Sequence, residues 1–436
     1  MTVPHDHDHL PLLSDGVADE LGGHGALTRA ALLRRAGALA LGVGAPGVLA
    51  ACGNSAYDTG SSRARGAGAD APVAAVGTGS SSGSRALKVG YLPITDAAPL
   101  LVAHARGLYE EAGLEVPRPT LLRSWPALAE AFQGGAVDVV HILMPLALQL
   151  RFQQRLPVKV VAWNHTDGSA ITVRREIADV EDLAGTTVAI PGWFSVHNVA
   201  LQILLRARGL RPTRDGRPRA ADRTVRLTVM APADMPPALV QGSIAGYVVA
   251  DPFNAVAEVK GIGRILRFTG DVWRQHACCV VAVREELIRD RPDAARALVG
   301  AVVRAQRLAR DDRAGVARIL TGERYLPQPA PAVARALTHG SDPAYVRDGA
   351  IVHPEWQEPR IDFRPYPFPS YTAELIDRLR ETVVDGDLSF LRGLDGGRAH
   401  RELVDDTLVR AAIDAAGGPA AFGLPADLSR REEIRP

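Results

Sequence analysis

An α/β fold built from two related lobes is predicted by three features of the 436-residue chain. Strand-like apolar runs alternate with helical periodicity along most of its length, a strand–helix–strand unit recurs, and the length suits two domains or one interrupted domain with additions. Each lobe is therefore expected to be a mostly parallel sheet flanked by helices.

The elements follow in order. Leu87–Leu92 reads as the first ordered strand, Pro93–Asp96 as a turn, and Pro99–Ala112 as a helix that Asp96 is placed to cap. A strand near Pro119–Leu122, a helix Pro126–Gln133, a strand Val137–Leu143, a further helix and a strand Val158–Trp163 come next. Strands Ala170–Arg174 and Thr187–Ile190 lead to a helix that begins near Ser195 and ends at Gly209. A basic, Pro-containing insertion, Arg211–Arg223, precedes the strand Val225–Met230, the helix Pro236–Gln241, the strand Gly246–Ala250 and a helical stretch Ala255–Val259. Cys278–Val283 is an apolar run suited to a buried strand, and Pro292–Ala309 is strongly helical. Beyond it, helical segments mix with a Pro-rich stretch, Phe363–Pro369. Gly134–Asp138 parallels Gly242–Gly246, which is the sign that the unit repeats.

Composition narrows the function. The formal charge is +1, and becomes +3 without residues 1–52, spread over a long chain; nothing indicates nucleic acid. The cysteines are Cys52, Cys278 and Cys279, and adjacent cysteines close only a strained ring, so no disulfide framework is implied. In their apolar run, Cys278 and Cys279 read as small hydrophobes. No Ser/His/Asp order, metal-ligand spacing or phosphate-cradling loop stands out, so no catalytic residue, metal or cofactor is expected. His5, His7 and His9 alternate with Asp6 and Asp8, but they precede the expected start of the working protein.

That start is set by Ala36–Ala51, a weakly apolar run behind Arg29, Arg34 and Arg35 that ends in Leu49-Ala50-Ala51-Cys52. It resembles the signal peptide and lipobox of a bacterial lipoprotein, and is too short for a comfortable membrane-spanning helix. Residues 1–52 are then a leader and Cys52 a lipid anchor that holds the chain outside the cytoplasmic membrane. Thr28–Arg34 resembles a twin-arginine signal whose second arginine has become Ala30, with Arg34-Arg35 in a shifted frame; general secretion is the alternative route. Residues 53–85, rich in Gly, Ser, Ala and Thr, form a flexible linker spanning on the order of 30 Å.

Three further stretches, Gly90–Leu100, Arg106–Tyr109 with Gly113–Val116, and Ala250–Asn254, resemble the solute-binding proteins of ABC importers for nitrate, sulfonate, taurine and bicarbonate, the NMT1-like family. The likeness covers most of residues 86–310 and continues more weakly through Phe363–Tyr371 and Gly417–Pro425. It implies the type II periplasmic-binding-protein fold, with lobe 1 starting in 86–175, lobe 2 in 176–275, and 276–436 returning to lobe 1 and supplying C-terminal helices. It also implies a monomer that closes by hinge motion on a small polar solute and serves an ABC permease and its ATPase.

In open α/β sheets the ligand sits beyond the carboxyl ends of the strands, against helix N-termini. Two loops have that form. Thr95–Ala98 follows the first strand and carries Thr95 and Asp96; Gly192–His197 carries Trp193, Ser195 and His197. Asp96 either caps its helix or faces the ligand, and a carboxylate beside an anion needs an intervening cation. Trp125 is a core residue or a cleft aromatic, and Ser169 either a turn serine or, as the resemblance implies, the family's crossover group presented to the solute. His197 is the leading candidate, since the nitrate and bicarbonate receptors carry a histidine on a similar Ser-x-His-Asn element; the alternative is a capping histidine. Asp251 hydrogen-bonds the ligand or organises the lobe interface, and His141 and Met144 end a strand at cleft level with a core role favoured. The nitrate receptors' lysine near Trp273–His276 has no counterpart here, which lowers nitrate in favour of an organosulfonate or a neutral or zwitterionic nitrogen compound unless Arg123 restores the charge. Two other functions share the fold: a thiamine-pyrimidine-synthase-like enzyme, which the leader and the cysteine count oppose, and a solute-sensing lipoprotein.

Overall fold

A computed structural model describes residues 86–436 apart from 341, 357 and 358. The leader, Cys52 and the linker lie outside the described residues. Among the described residues thirteen strands form three sheets: β1 (Val89–Tyr91), β2 (Thr120–Leu121), β3 (Val139–Leu143), β4 (Val158–Trp163), β5 (Thr166–Asp167), β6 (Ser169–Val173), β7 (Thr187–Ile190), β8 (Arg211–Thr213), β9 (Thr224–Val229), β10 (Gly246–Ala250), β11 (Arg264–Phe268), β12 (Cys279–Arg284) and β13 (Ile361–Asp362). The first sheet runs β2-β1-β3-β12-β4 and the second β11-β6-β10-β7-β9-β8. β1 is parallel to β2 and β3, and β7 to β9 and β10, while β12 and β6 run antiparallel to their neighbours. The two orders correspond strand for strand apart from the extra edge strand β8. The repeat between Gly134–Asp138 and Gly242–Gly246 is thus structural: each stretch carries the chain from a helix into the strand beside the antiparallel one.

The antiparallel strands are the ones that cross between sheets. β4 closes the first sheet, the chain passes through β5, and β6 opens the second; the return passes from β11 through residues 269–278 to β12. β6 therefore belongs to the second sheet, so residues 169–173, ahead of the boundary expected at 175, pair with that sheet. The run Val137–Leu143 becomes β3 because its residues are buried on both faces, as a central strand requires. Helix Trp125–Gln133 starts where the Ser124 hydroxyl accepts from the Ala127 N–H, and helix Val196–Ala207 where Ser195 accepts from Asn198.

The helix expected over Pro99–Ala112 divides into Ala98–Ala105 and Leu108–Glu111, because Gly107 takes φ +69° and ends the first segment. Asp96 does not cap it; it lies in a single 3₁₀ turn, Thr95–Ala97, with its side chain turned elsewhere. The Arg211–Arg223 insertion contributes β8, whose Pro212 is tolerated on an edge strand. β11 and the β5–β13 pair are additional strands that the apolar pattern did not mark.

The C-terminal part fastens the crossovers. Helix Pro292–Asp311 places Gln306 where its amide donates to the Trp163 and Asn164 carbonyls, both at 2.9 Å. The Pro-rich stretch is buried rather than peripheral: the Trp163 N–H donates to the Pro365 carbonyl at 2.8 Å, and the Tyr371 hydroxyl donates to Ala277. Among the described residues no helix is long and apolar enough to cross a membrane.

Gly246 meets β6 so closely that a Cβ would stand 2.8 Å from Val173 Cγ1 and 2.9 Å from the Thr172 carbonyl. Gly246→Ala should therefore cost about 1–3 kcal/mol by overpacking. Gly300, in helix Pro292–Asp311 with open space around it, should give a Gly300→Ala protein stabler by up to about 1 kcal/mol. Urea unfolding of both variants checks the pair, and equal effects would refute it.

Candidate functional site

The carboxyl edges of the two sheets meet over a buried polar cluster. The loop after β1 supplies Asp96, the segment after β4 supplies His165, and the approach to β12 supplies Cys278 and Cys279; from the second sheet come Ser169 at the start of β6 and His197 in the first turn of helix Val196–Ala207. All are shielded from solvent. β12 enters the first sheet at its carboxyl edge, since Cys279 pairs with Leu143 at the end of β3. That is why two cysteines inside an apolar run stand at the ligand end of the sheet.

Its connections run through both sheets. Asp96 Oδ2 lies 2.9 Å from His165 Nε2 and 3.8 Å from Cys279 Sγ. The two cysteine sulfurs are 3.6 Å apart, and Cys278 Sγ is 3.7 Å from His197 Nε2. The same His197 nitrogen lies 2.9 Å from the Ser169 hydroxyl, so His197 bridges the two sheets. The Ser169 carbonyl accepts from Thr269, whose hydroxyl also meets His276 Nε2 at 2.9 Å. His141, on β3, lies beside His165 and Trp125, with ring centroids 6.3 and 6.2 Å away.

Burial sets the protonation of this group. It pushes the Asp96 carboxyl up to about 6, against the pull of His165. At His165 burial works against the charge, but Asp96 outweighs it and raises the imidazole to about 10. The pair is therefore charged near neutrality. Without such a partner, burial lowers His141 and His276 to about 3 and keeps both neutral. At Cys278 burial opposes ionisation, yet the Cys279 thiol and the neighbouring His197 and His165 rings hold it well below an ordinary thiol. Burial and the adjacent Cys278 push Cys279 well above one.

Several buried polar atoms here lack a protein partner: Asp96 Oδ1, Trp125 Nε1, His165 Nδ1, His197 Nδ1, His276 Nδ1 and both nitrogens of His141. Each costs about 1–3 kcal/mol if nothing meets it. A binding site is the economical explanation for such a concentration.

The sequence candidates divide accordingly. Asp96, Ser169, His197 and Trp125 join the cluster. Thr95 stands beside it, but both its N–H and its hydroxyl donate to the Asp251 carbonyl, at 2.8 and 3.0 Å. Asp251 itself holds Arg360 through both carboxylate oxygens, so it organises the contact between segments and its carboxylate is already engaged. Ser195 is spent as a helix cap and also donates to Gly192 at 2.7 Å. Trp193 is only partly buried and packs on the core behind the second sheet. His165, Cys278, Cys279 and His276 are the residues that sequence reasoning did not place in the site; their signal was position at a strand end. Asp96, His165, Cys278 and Cys279 also present ligand atoms within 4.8 Å of one another, from segments that no short motif connects. A separate cavity of about 660 Å³, lined in part by Phe268, His353, Trp356 and Arg360, has none of these cluster residues in its wall.

The model of the NMT1-like family matches residues 80–321. The nitrate/nitrite binding protein NrtA of Nostoc sp. is 26% identical over 242 residues, covering 50% of this chain and 52% of the relative, so the chain spans about half that protein's length. In three dimensions it is similar to the periplasmic nitrate-binding protein NrtA from Synechocystis PCC 6803, with a TM-score of 0.66 at 19% identity over 79% of this chain and 92% of that one. The alkanesulfonate-binding protein SsuA from Xanthomonas axonopodis pv. citri, bound to MOPS, gives 0.51 at 18% identity over 75% and 96%. The two-sheet architecture is the type II periplasmic-binding-protein fold.

The neutral buried histidines give the site a pH signature. A group whose folded pKa is depressed loses stability as pH falls below its ordinary value, because the unfolded chain then takes up a proton that the folded chain refuses. For His141 the window runs from about 6.5 down to about 3. Comparing wild type with His141→Leu by urea unfolding between pH 6 and 4, the variant should lose about 1.4 kcal/mol less per pH unit. Parallel slopes would show that His141 is not held neutral.

Proposed function

Since the chain belongs to the NMT1-like family, we propose that it is the solute-capturing component of an ABC importer. The observation that carries this reading is the polar cluster between the two sheets, with His197 bridging them and several buried donors and acceptors left open. A small polar solute with acceptor oxygens would meet the Trp125 indole N–H and the free nitrogens of His197 and His276. Closure of two lobes, with β5–β6 and residues 269–278 as the crossings, would bury it. Ser169 would orient His197, and Asp96 with His165 would supply a balanced charge pair rather than a net anion. Nitrate, sulfonate and bicarbonate-type solutes, or a related nitrogen or sulfur compound, form the class to test; nothing in this arrangement requires bond-making chemistry.

Capture would take place outside the cytoplasmic membrane, with Cys52 carrying the lipid and the 53–85 linker giving reach to a permease and its ATPase. Lobe 1 would comprise 86–168 together with the return from 276, and lobe 2 the residues between.

Isothermal calorimetry of the full chain against nitrate, nitrite, bicarbonate, taurine and alkanesulfonates should reveal one binding equivalent. His197→Ala should then weaken it by about 1–3 kcal/mol. Folded protein that gives no heat with any of them would refute this solute class, and unchanged affinity would remove His197 from the site. Separately, Cys52→Ala should shift the protein from the membrane to the soluble fraction of expressing cells, and persistent membrane association would overturn the anchor.

A further inference from the structure

We propose that Asp96, His165, Cys278 and Cys279 bind one thiophilic divalent cation of the zinc class. This goes beyond solute capture and does not depend on it. The four ligand atoms lie within 4.8 Å of one another and all four residues are fully buried.

Two of their separations approach those of ligands sharing one tetrahedral ion. With zinc–sulfur bonds near 2.3 Å, two sulfurs on one ion stand about 3.8 Å apart, and a sulfur and a carboxylate oxygen about 3.6 Å. The observed separations are 3.6 Å between the cysteine sulfurs and 3.8 Å from Cys279 Sγ to Asp96 Oδ2. The 2.9 Å contact between His165 Nε2 and Asp96 Oδ2 is tighter than the roughly 3.4 Å expected of two ligands on one ion. Inserting the ion would replace that hydrogen bond and the one that His165 Nε2 accepts from the Cys279 N–H at 3.2 Å, and would spread Asp96 and His165 by about half an ångström.

The donor set chooses the metal. Two sulfurs, an imidazole and one carboxylate suit zinc and its soft or borderline neighbours, whereas magnesium and calcium need oxygen ligands. One supporting neighbour is in place: His197 Nε2 stands 3.7 Å from Cys278 Sγ, steadied by Ser169, and neighbours of this kind orient metal ligands. Asp96 Oδ1 and His165 Nδ1 have no protein partner, so those two ligands are not steadied by hydrogen bonds at these atoms. Cys279 in β12 with Cys278 just before it, His165 just after β4 and Asp96 in the 3₁₀ turn that follows β1 place the ligands at the sheet edge, so little order would be lost on binding.

The test uses the full chain, reduced and freed of metal, titrated with Co²⁺ as a spectroscopic stand-in. One equivalent should develop thiolate-to-cobalt charge transfer in the near ultraviolet, and one equivalent of Zn²⁺ should displace it while excess Mg²⁺ does not. Cys52→Ser should leave the band intact. Cys278→Ser and Cys279→Ser should each diminish it and weaken binding at least tenfold, and the double variant should abolish it. Cobalt held by His5, His7 and His9 would show no thiolate band. Absence of the band in the wild-type chain overturns the proposal whether or not the variants fold, and so does its loss in Cys52→Ser alone or its survival in a folded double variant. Solute calorimetry is a separate measurement, so either reading can fail without the other.

Discussion

The buried guanidinium of Arg360 is the constraint on which the arrangement of segments rests. It meets Asp251 through both carboxylate oxygens and reaches Glu258 at 2.6 Å, while Arg335 pairs with the same Glu258 at 3.0 Å. Burial pushes the Asp251 carboxyl up while Arg360 draws it down. A guanidinium keeps its proton, so the ion pair prevails. Removing one partner of such a buried pair typically costs 3–5 kcal/mol, because the other charge is stranded. Through Asp251 this pair reaches the loop after β1, since the Asp251 carbonyl receives both donors of Thr95. The strand after Arg360, β13, pairs with β5 in the crossover. One cation thus ties the C-terminal segment, the end of β10 and the loop after β1 together.

With those segments fixed, the polar cluster is held in an environment that its own members would not select. Burial of His141 and His276 as neutral rings, and of Asp96 beside an imidazolium, costs free energy that the surrounding apolar core must offset. The core is large enough: Val139, Val140, Ile142, Val280, Val281 and their neighbours are fully buried around the site. Functional groups commonly occupy the places where local preference and global fold disagree. Here the disagreement is concentrated at the two sheet edges, where a solute or an ion can satisfy the open atoms.

Much of the fold was legible from residue patterns. Strands Val158–Trp163, Thr187–Ile190 and Gly246–Ala250 are delimited by apolar runs, and Ser124 and Ser195 mark helix starts through their hydroxyls. Less was legible in the site. His197 and Ser169 were singled out by the likeness to the nitrate and bicarbonate receptors and to the family's crossover position, and the two side chains lie 2.9 Å apart. Ser195 and Asp251 were plausible by the same reasoning, yet one caps a helix and the other is bound by an arginine 109 residues away. No local pattern distinguishes a carboxylate awaiting a ligand from one already paired at long range.

By itself, the sequence determined the alternation of strands and helices and the two related units, because periods of burial and capping chemistry act over a few residues. It also placed loops at the carboxyl ends of β1 and β7. The tertiary structure alone decided that Cys278 and Cys279, read as filling in a buried strand, face Asp96 and His165. That outcome follows from register: the antiparallel entry of β12 pairs Cys279 with the last residue of β3 and delivers both sulfurs to the edge where the two sheets converge. Convergence of segments separated by more than a hundred residues is a property of topology, and the spacing of residues along the chain carries no record of it.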